Sequence, residues 1–359
     1  MATDVRGPVR FSLFDHLDES GRGQGETYRE RLKMIEVAEE AGFYCYHLAE
    51  HHGTELSTVP SPALFLAAVA ERTSRIRLGA MTYLLPLYNP LRLLEELCML
   101  DQLSQGRLEI GLSRGSSPYE GLRFGVKREE SRARFNEVLE LLIQGFTTGE
   151  LNLQGTYYQY DHVMTRLSPA QKPYPPMWYP TTNIESVPWI AKHGFNTLFS
   201  YGISGSFDAC RRMVDLYREE FEAHKDDPDR MNGHVKQPFI GINGHVHVAA
   251  TDELAIEQAR PAWAKYIYNF TERYNRVGDP KHAGKGNFDR DVAEGKILVG
   301  SPETVRRRLG EYLQTSGANY CMGEFSFGSL PLEHVLSSIR LFATEVMPAL
   351  SQQPVAALS

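Results

Sequence analysis

The feature that most constrains this chain is an alternation. Short apolar runs of four to ten residues take turns with longer amphipathic stretches from one end to the other. The runs Arg10 to Phe14, Tyr44 to Leu48, Ile76 to Leu85 and Leu108 to Leu112 read as strands. They are separated by helical patterns over Thr27 to Ala41, Pro62 to Arg72 and Pro90 to Leu103. From Ser131 to Thr147, apolar residues recur at 3.6-residue spacing (Phe135, Val138, Leu139, Leu142, Ile143, Phe146), the mark of a helix with one buried face. The second half continues with strands at Met177 to Tyr179, Thr197 to Phe199, Phe239 to Val248 and Tyr320 to Phe325. Helices fall at Val187 to His193, Asp208 to Ala223, Asp252 to Asn269 and Pro302 to Thr315, and a closing one carries Leu332, Leu336, Ile339 and Val346. About eight strand–helix units in this order predict an α/β fold, a TIM-like (β/α)8 barrel, within a single domain over 1–359.

Two segments break the rhythm. Thr148 to Pro176, with three tyrosines and a proline cluster, reads as an insertion over the barrel. Glu272 to Gly295 is polar and without clear period, and a loop of that length in a compact domain predicts an active-site lid.

The run Phe43-Tyr44-Cys45-Tyr46-His47-Leu48-Ala49 ends on Glu50-His51-His52. An acid and two imidazoles at the carboxyl end of a strand stand where parallel α/β folds put their chemistry. On residues alone, three readings fit: a solvated strand end, an acid–base site, or metal ligands. His245 and His247 lie inside an alternating strand, and no His/Asp/Cys cluster at ligand spacing follows, so no metal is expected. Gly111-Leu112-Ser113-Arg114-Gly115 directly follows a strand. Its glycines let backbone approach an anion, and Arg114 offers two parallel donors. Thr181-Thr182-Asn183-Ile184-Glu185-Ser186 sets hydroxyls and amide groups before a helix. A net charge of −7 argues against nucleic acid or an anionic membrane as partner. Four widely spaced cysteines, the absence of a signal-like start and the absence of a long apolar run predict a cytoplasmic protein.

Taken together, Ala49-Glu50-His51-His52, Leu84-Leu85-Pro86 with Asn89-Pro90, Leu100 to Arg107 running into Gly111 to Gly115, and Val299-Gly300-Ser301-Pro302-Glu303 resemble the bacterial luciferase-like flavin monooxygenases. The resemblance spans nearly the whole chain and is densest from Phe43 to Phe124. It implies a dimeric barrel, here a homodimer, that binds reduced FMN delivered by a separate reductase. The reduced flavin reacts with O2 through a 4a-(hydro)peroxide to oxygenate a small or medium-sized organic substrate. His51 matches the catalytic histidine, with Glu50 orienting it and His52 behind. Ser113 stands where luciferase has a cysteine. Met81 and Thr82 align with a pair joined by a non-proline cis peptide beneath the flavin. Arg114, Arg132, Thr182, Asn183 and Ser186 fall where the phosphate is held, although luciferase has a serine at the position of Asn183. Tyr83, Tyr119, Tyr179 and Tyr201 are the expected substrate-cavity residues. The alternatives on this fold are a deazaflavin- or flavin-dependent dehydrogenase and a non-catalytic flavin-binding subunit; retention of His51 and Arg114 speaks against the latter.

Overall fold

The computed structural model of the chain describes residues 8–115, 117–200, 207–282 and 285–351. The strands are β1 (Arg10–Asp15), β2 (Cys45–Leu48), β3 (Arg77–Leu84), β4 (Leu108–Ser113), β5 (Glu150–Gln154), β6 (Gln159–Met164), β7 (Met177–Trp178), β8 (Thr197–Ser200), β9 (Ile240–Val248), β10 (Ile297–Gly300) and β11 (Tyr320–Glu324). Parallel pairing runs β9-β11-β1-β2-β3-β4-β7, and β8 pairs with β9. A parallel bridge between Trp178 and Asn196 joins β7 to the start of β8, with Tyr179 N–H donating to Asn196 O at 2.8 Å. The pairings therefore return to their start: eight strands in a ring, with helices between them in sequence. Strands β2 and β10 are buried at every residue, as expected where both faces of a parallel sheet are covered.

The core has two parts. The larger lies between the sheet and the helices, where Leu66, Leu97, Leu142, Ile190 and Ile339 meet the outward faces of the strands. The smaller fills the ring itself: Phe14, Ala49, Met81, Trp178, Leu198, Tyr320 and Met322. Trp178, Tyr320 and Met322 are fully buried, while Phe14, Ala49, Met81 and Leu198 line the cavity at the mouth of the ring. This inner plug is the floor on which a site at the carboxyl ends of the strands rests.

The plug includes a titratable group. His47, on β2, faces Tyr320 (Nε2 to the hydroxyl, 2.7 Å) and the Trp178 ring edge. Burial, aided by Arg77, pushes its pKa down to about 3. Between the ordinary histidine value near 6.5 and 3, the unfolded chain takes up a proton that the folded chain refuses. Stability is therefore lost as pH falls through that window. From pH 7 to pH 5 this residue accounts for about 2 kcal/mol of lost unfolding free energy. Urea midpoints at the two pH values test it: His47→Gln shows a smaller acid loss than the wild type by about that amount.

The Thr148 to Pro176 interruption contains an antiparallel hairpin, β5 with β6. Its tip is fastened to the preceding helix, α5 (Ser131–Thr148): the Glu137 carboxylate accepts the backbone N–H groups of Thr156, Tyr157 and Tyr158. The second interruption differs from its sequence reading. The long helix preceding it, here α8 (Asp252–Asn275), runs six residues beyond Asn269, and a short helix α9 (Phe288–Ala293) follows. The apolar period stops early because inward positions of α8 are polar. Asn269, fully buried, donates to Asp18 Oδ2 at 2.8 Å and Glu19 O at 2.7 Å, and Arg273 reaches the barrel mouth. Strand β10 is also additional to the sequence reading. It extends the sheet beside the carboxyl half of β9, from Ile297 opposite His245 to Gly300 opposite Val248. Among the described residues, no helix is long and apolar enough to cross a membrane.

Candidate active site

A cavity of about 540 Å³ opens at the carboxyl ends of the ring strands, within the usual range for organic ligands. Ring order divides its wall. The ends of β3, β4 and β7 supply Met81, Thr82, Ser113, Arg114 and the Tyr179 to Ser186 segment. Across from them, β9, β11 and β1 supply His245, Glu324 and His16, and α8 adds Trp263, Tyr266 and Phe270. His51 follows β2, between the two halves.

On the first half, β3 and β4 lie very close. A Cβ on Gly111 would stand 2.3 Å from the Ala80 carbonyl oxygen, so only glycine fits there. The Met81–Thr82 peptide is cis. Thr82 Oγ1 donates to Ser113 Oγ at 2.5 Å, and Gly115 N–H donates to the same oxygen at 3.2 Å. Those two bonds use the acceptor capacity of Ser113 and leave its own hydrogen for a group in the cavity. Gly115 takes a positive φ of 83°, which turns the chain so that Arg114 lines the cavity. The Arg114 guanidinium has no hydrogen-bond or ion-pair partner among the described residues. Thr182, Asn183 and Ser186 line the same wall. Asn183 Oδ1 accepts Glu185 N–H and so caps its own turn, which leaves the amide NH2 as its uncommitted group.

His51 is held on Nδ1. Glu120, on the short helix α4 (Pro118–Arg123), accepts from it at 2.9 Å and also takes the backbone N–H of His52 at 3.0 Å. A carboxylate only accepts, and Glu120 is nearer to Nδ1 than the donor-only Arg273 Nη1 at 3.2 Å, so the ring proton sits on Nδ1 toward Glu120 and Nε2 carries the lone pair. Burial pushes the His51 pKa down to about 4 against the opposing pull of Glu120. Glu120 itself is pushed up by burial, but His51 and Arg273 outweigh this and keep it below its ordinary value. Arg273 Nη1 lies 3.2 Å from His51 Nδ1 and 3.8 Å from Glu120. At neutral pH His51 is thus a neutral imidazole with a fixed tautomer, able to take up a proton on Nε2 and return it.

Several expected residues have other partners or positions. Glu50 lines the cavity as His51 does but does not orient it. Its carboxylate instead contacts His52 Nε2 at 2.8 Å and accepts from the Tyr88 hydroxyl at 2.8 Å and Leu84 N–H at 3.2 Å. Tyr83 is fully buried in the outer core beside Tyr88: the β3–β4 register shifts between Ala80 and Tyr83, so Met81 and Thr82 both face the cavity and Tyr83 faces the helices. Arg132 is exposed on the first turn of α5 and does not line the cavity; its neighbour Arg134 pairs with Glu130 and covers the Tyr157 ring. Tyr119 sits at the rim rather than in the wall, its hydroxyl donating to Asp279 Oδ2 at 2.9 Å. Tyr179 does line the cavity. Tyr201 lies outside the described residues.

Glu120, Arg273, His16 and Glu324 escaped the sequence reading, and His245 entered it only as a residue of an alternating strand. The Ser117-Pro118 pair, a helix-opening signal, was the available pointer to Glu120. Arg273 was marked only by its place in the aromatic period Tyr266, Phe270, Tyr274.

The model for luciferase-like monooxygenases matches residues 9–320 of the chain. An uncharacterized protein, y4wF, of Sinorhizobium fredii (strain NBRC 101917 / NGR234) is 36% identical over 340 residues, covering 94% of this chain and 96% of its own. The oxygenase component of the flavin-dependent trigonelline monooxygenase of Acinetobacter baylyi (strain ATCC 33305 / BD413 / ADP1) is 25% identical, covering 97% of each chain. Among solved structures, the oxygenating constituent of 3,6-diketocamphane monooxygenase from Pseudomonas putida, in complex with FMN, superposes with a TM-score of 0.79 at 21% identity. That match covers 95% of this chain and 98% of that one.

Proposed function

The chain belongs to the luciferase-like monooxygenase family, and on that premise we propose that it is the oxygenase component of a two-component system. In this reading it binds reduced FMN supplied by a separate reductase and uses O2 to oxygenate an organic substrate. The observation that carries the cofactor assignment is Arg114. A guanidinium lining a cavity, with no partner among the described residues, beside Thr182, Asn183 and Ser186, fits a phosphate group. The close β3–β4 approach at Gly111 and the apolar floor of Met81, Ala49 and Leu198 suit a flat ring system.

Bound reduced FMN supplies two electrons, so that one oxygen atom enters the substrate and the other leaves as water. The residues of this chain do the rest. Arg114 and the Thr182 to Ser186 wall hold the phosphate, and Ser113 offers a donor beside the ring. His51 Nε2 moves the proton that oxygen reduction requires, while Glu120 fixes its tautomer. The inner plug excludes water from below, and Trp263, Tyr266 and Phe270 of α8 form the far wall. Met99 and Leu103 of α3 (Pro90–Leu103) remain exposed, which supports a homodimer packed on that helix.

Anaerobic titration tests the cofactor. Reduced FMN is expected to bind with a dissociation constant in the micromolar range or below, and a reduced deazaflavin coenzyme far more weakly. Preferential binding of the deazaflavin, with no oxygen consumption, would replace this reading with a dehydrogenase.

A further inference from the structure

The half of the cavity opposite Arg114 contains a second constellation that the handling of flavin and oxygen leaves unused. Glu324, at the end of β11, lies between two imidazoles: His16 Nδ1 at 2.8 Å on one oxygen and His245 Nε2 at 2.9 Å on the other. The His16 ring is stacked on that of His51, centroids 5.7 Å apart and planes within 14°. Both rings are tied through Nδ1 to a buried carboxylate, and neither Nε2 has a partner among the described residues. Beside His16, α8 presents a row of parallel rings. Trp263 and Tyr266 stack at 5.3 Å, Tyr266 and Phe270 at 6.3 Å, and the His16 ring meets Tyr266 at 5.9 Å. All three α8 rings line the cavity.

Resting on the monooxygenase reading, we propose that His16 is the catalytic residue on the substrate side: its Nε2–H binds an oxygen of the substrate, whose aromatic ring lies along the Trp263, Tyr266 and Phe270 row. The substrate class is then an aromatic compound with a strongly accepting or anionic oxygen, such as a phenolate. Glu324 and His245 are positioning residues. The groups around His16 agree. Burial opposes its protonation, but Glu324, with Asp18 and Asp15 behind it, outweighs burial and raises its pKa. Glu324 is pushed up by burial and pulled well below the carboxylate range by the two imidazoles. His51, the facing ring, is neutral, so it adds no repelling charge at neutral pH. Two stacked imidazoles are thus shifted in opposite directions, His16 toward its protonated form as a donor to substrate and His51 toward its neutral form as a proton acceptor.

The probe is 4-nitrophenol, titrated calorimetrically into the protein with and without bound FMN. The wild type is expected to bind the phenolate form, and His16→Phe to weaken it by about tenfold to a hundredfold, the loss of one charge-assisted hydrogen bond. FMN affinity stays within about threefold in the same variant, because His16 is outside the phosphate wall. Glu324→Gln, which keeps the shape, weakens phenolate binding and moves its pH profile to lower pH; it also carries the test if His16→Phe fails to fold. Absence of 4-nitrophenol binding, or equal binding by wild type and Glu324→Gln, overturns the assignment. If phenolate binding depends on Glu324 while reduced FMN does not bind, the monooxygenase reading fails and the substrate site stands.

Discussion

Replacing His51 with glutamine is expected to leave reduced FMN bound within about threefold of the wild type. The same change is expected to cut oxygen transfer to substrate by a factor on the order of 10² to 10⁴, the usual contribution of a positioned acid–base group. Glutamine retains hydrogen-bonding capacity and approximate size but cannot carry a proton in and out. The imidazole is suited to that task because two opposing influences act on it. Burial keeps it neutral, with its pKa pushed down to about 4, and Glu120 at 2.9 Å fixes the proton on Nδ1. Glu120→Gln keeps the contact but lets the ring adopt either tautomer, so its loss should be smaller, on the order of tenfold to a hundredfold. Comparing hydrogen peroxide release with product formation in the two variants measures both. Equal activity of His51→Gln and wild type would remove His51 from the chemistry.

Arg114→Ala carries the second large effect, a weakening of FMN binding by about a hundredfold. It removes two charge-assisted hydrogen bonds from a partly buried site, each contributing about 1.5 kcal/mol, the lower end of the usual net range. Riboflavin provides the control, since it lacks the phosphate. Its affinity should be the same for wild type and Arg114→Ala. Arg132→Ala is expected to change neither ligand's affinity by more than about twofold, because that side chain is exposed on α5 away from the cavity. If Arg132→Ala weakened FMN and Arg114→Ala did not, the phosphate wall would have been placed on the wrong strand end.

The ring of strands and the turn that carries Ser113 and Arg114 into the cavity were legible because they rest on local signals. Alternation exposed β1 to β4, and Gly111 to Gly115 marked a close turn by its glycines. The remainder depended on contacts distant in sequence. Glu120 meets His51 across 69 positions, Arg273 meets it across 222, and Glu324 meets His16 across 308. No periodicity announces such partners. Glu50 shows the complementary error. It adjoins the histidine in sequence, yet its carboxylate is committed to His52, Tyr88 and Leu84 N–H, while His51 is held by Glu120. Tyr83 is a different case: an irregularity in the β3–β4 register between Ala80 and Tyr83, which no apolar pattern announces, leaves Thr82 facing the cavity and Tyr83 facing the helices. In α8, buried Asn269 and Arg273 hid two helical turns from a reading based on apolar spacing.

The central claim, that this cavity holds reduced FMN and turns oxygen toward a substrate, is tested most directly by rapid mixing. Protein loaded anaerobically with reduced FMN is mixed with oxygenated buffer and followed by absorbance. The expected result is a transient species, distinct from both reduced and oxidised FMN, that outlives the oxidation of free reduced FMN and is shortened by His51→Gln. Oxidised FMN forming at the free-solution rate in both proteins, with 4-nitrophenol present as well as absent, would contradict it.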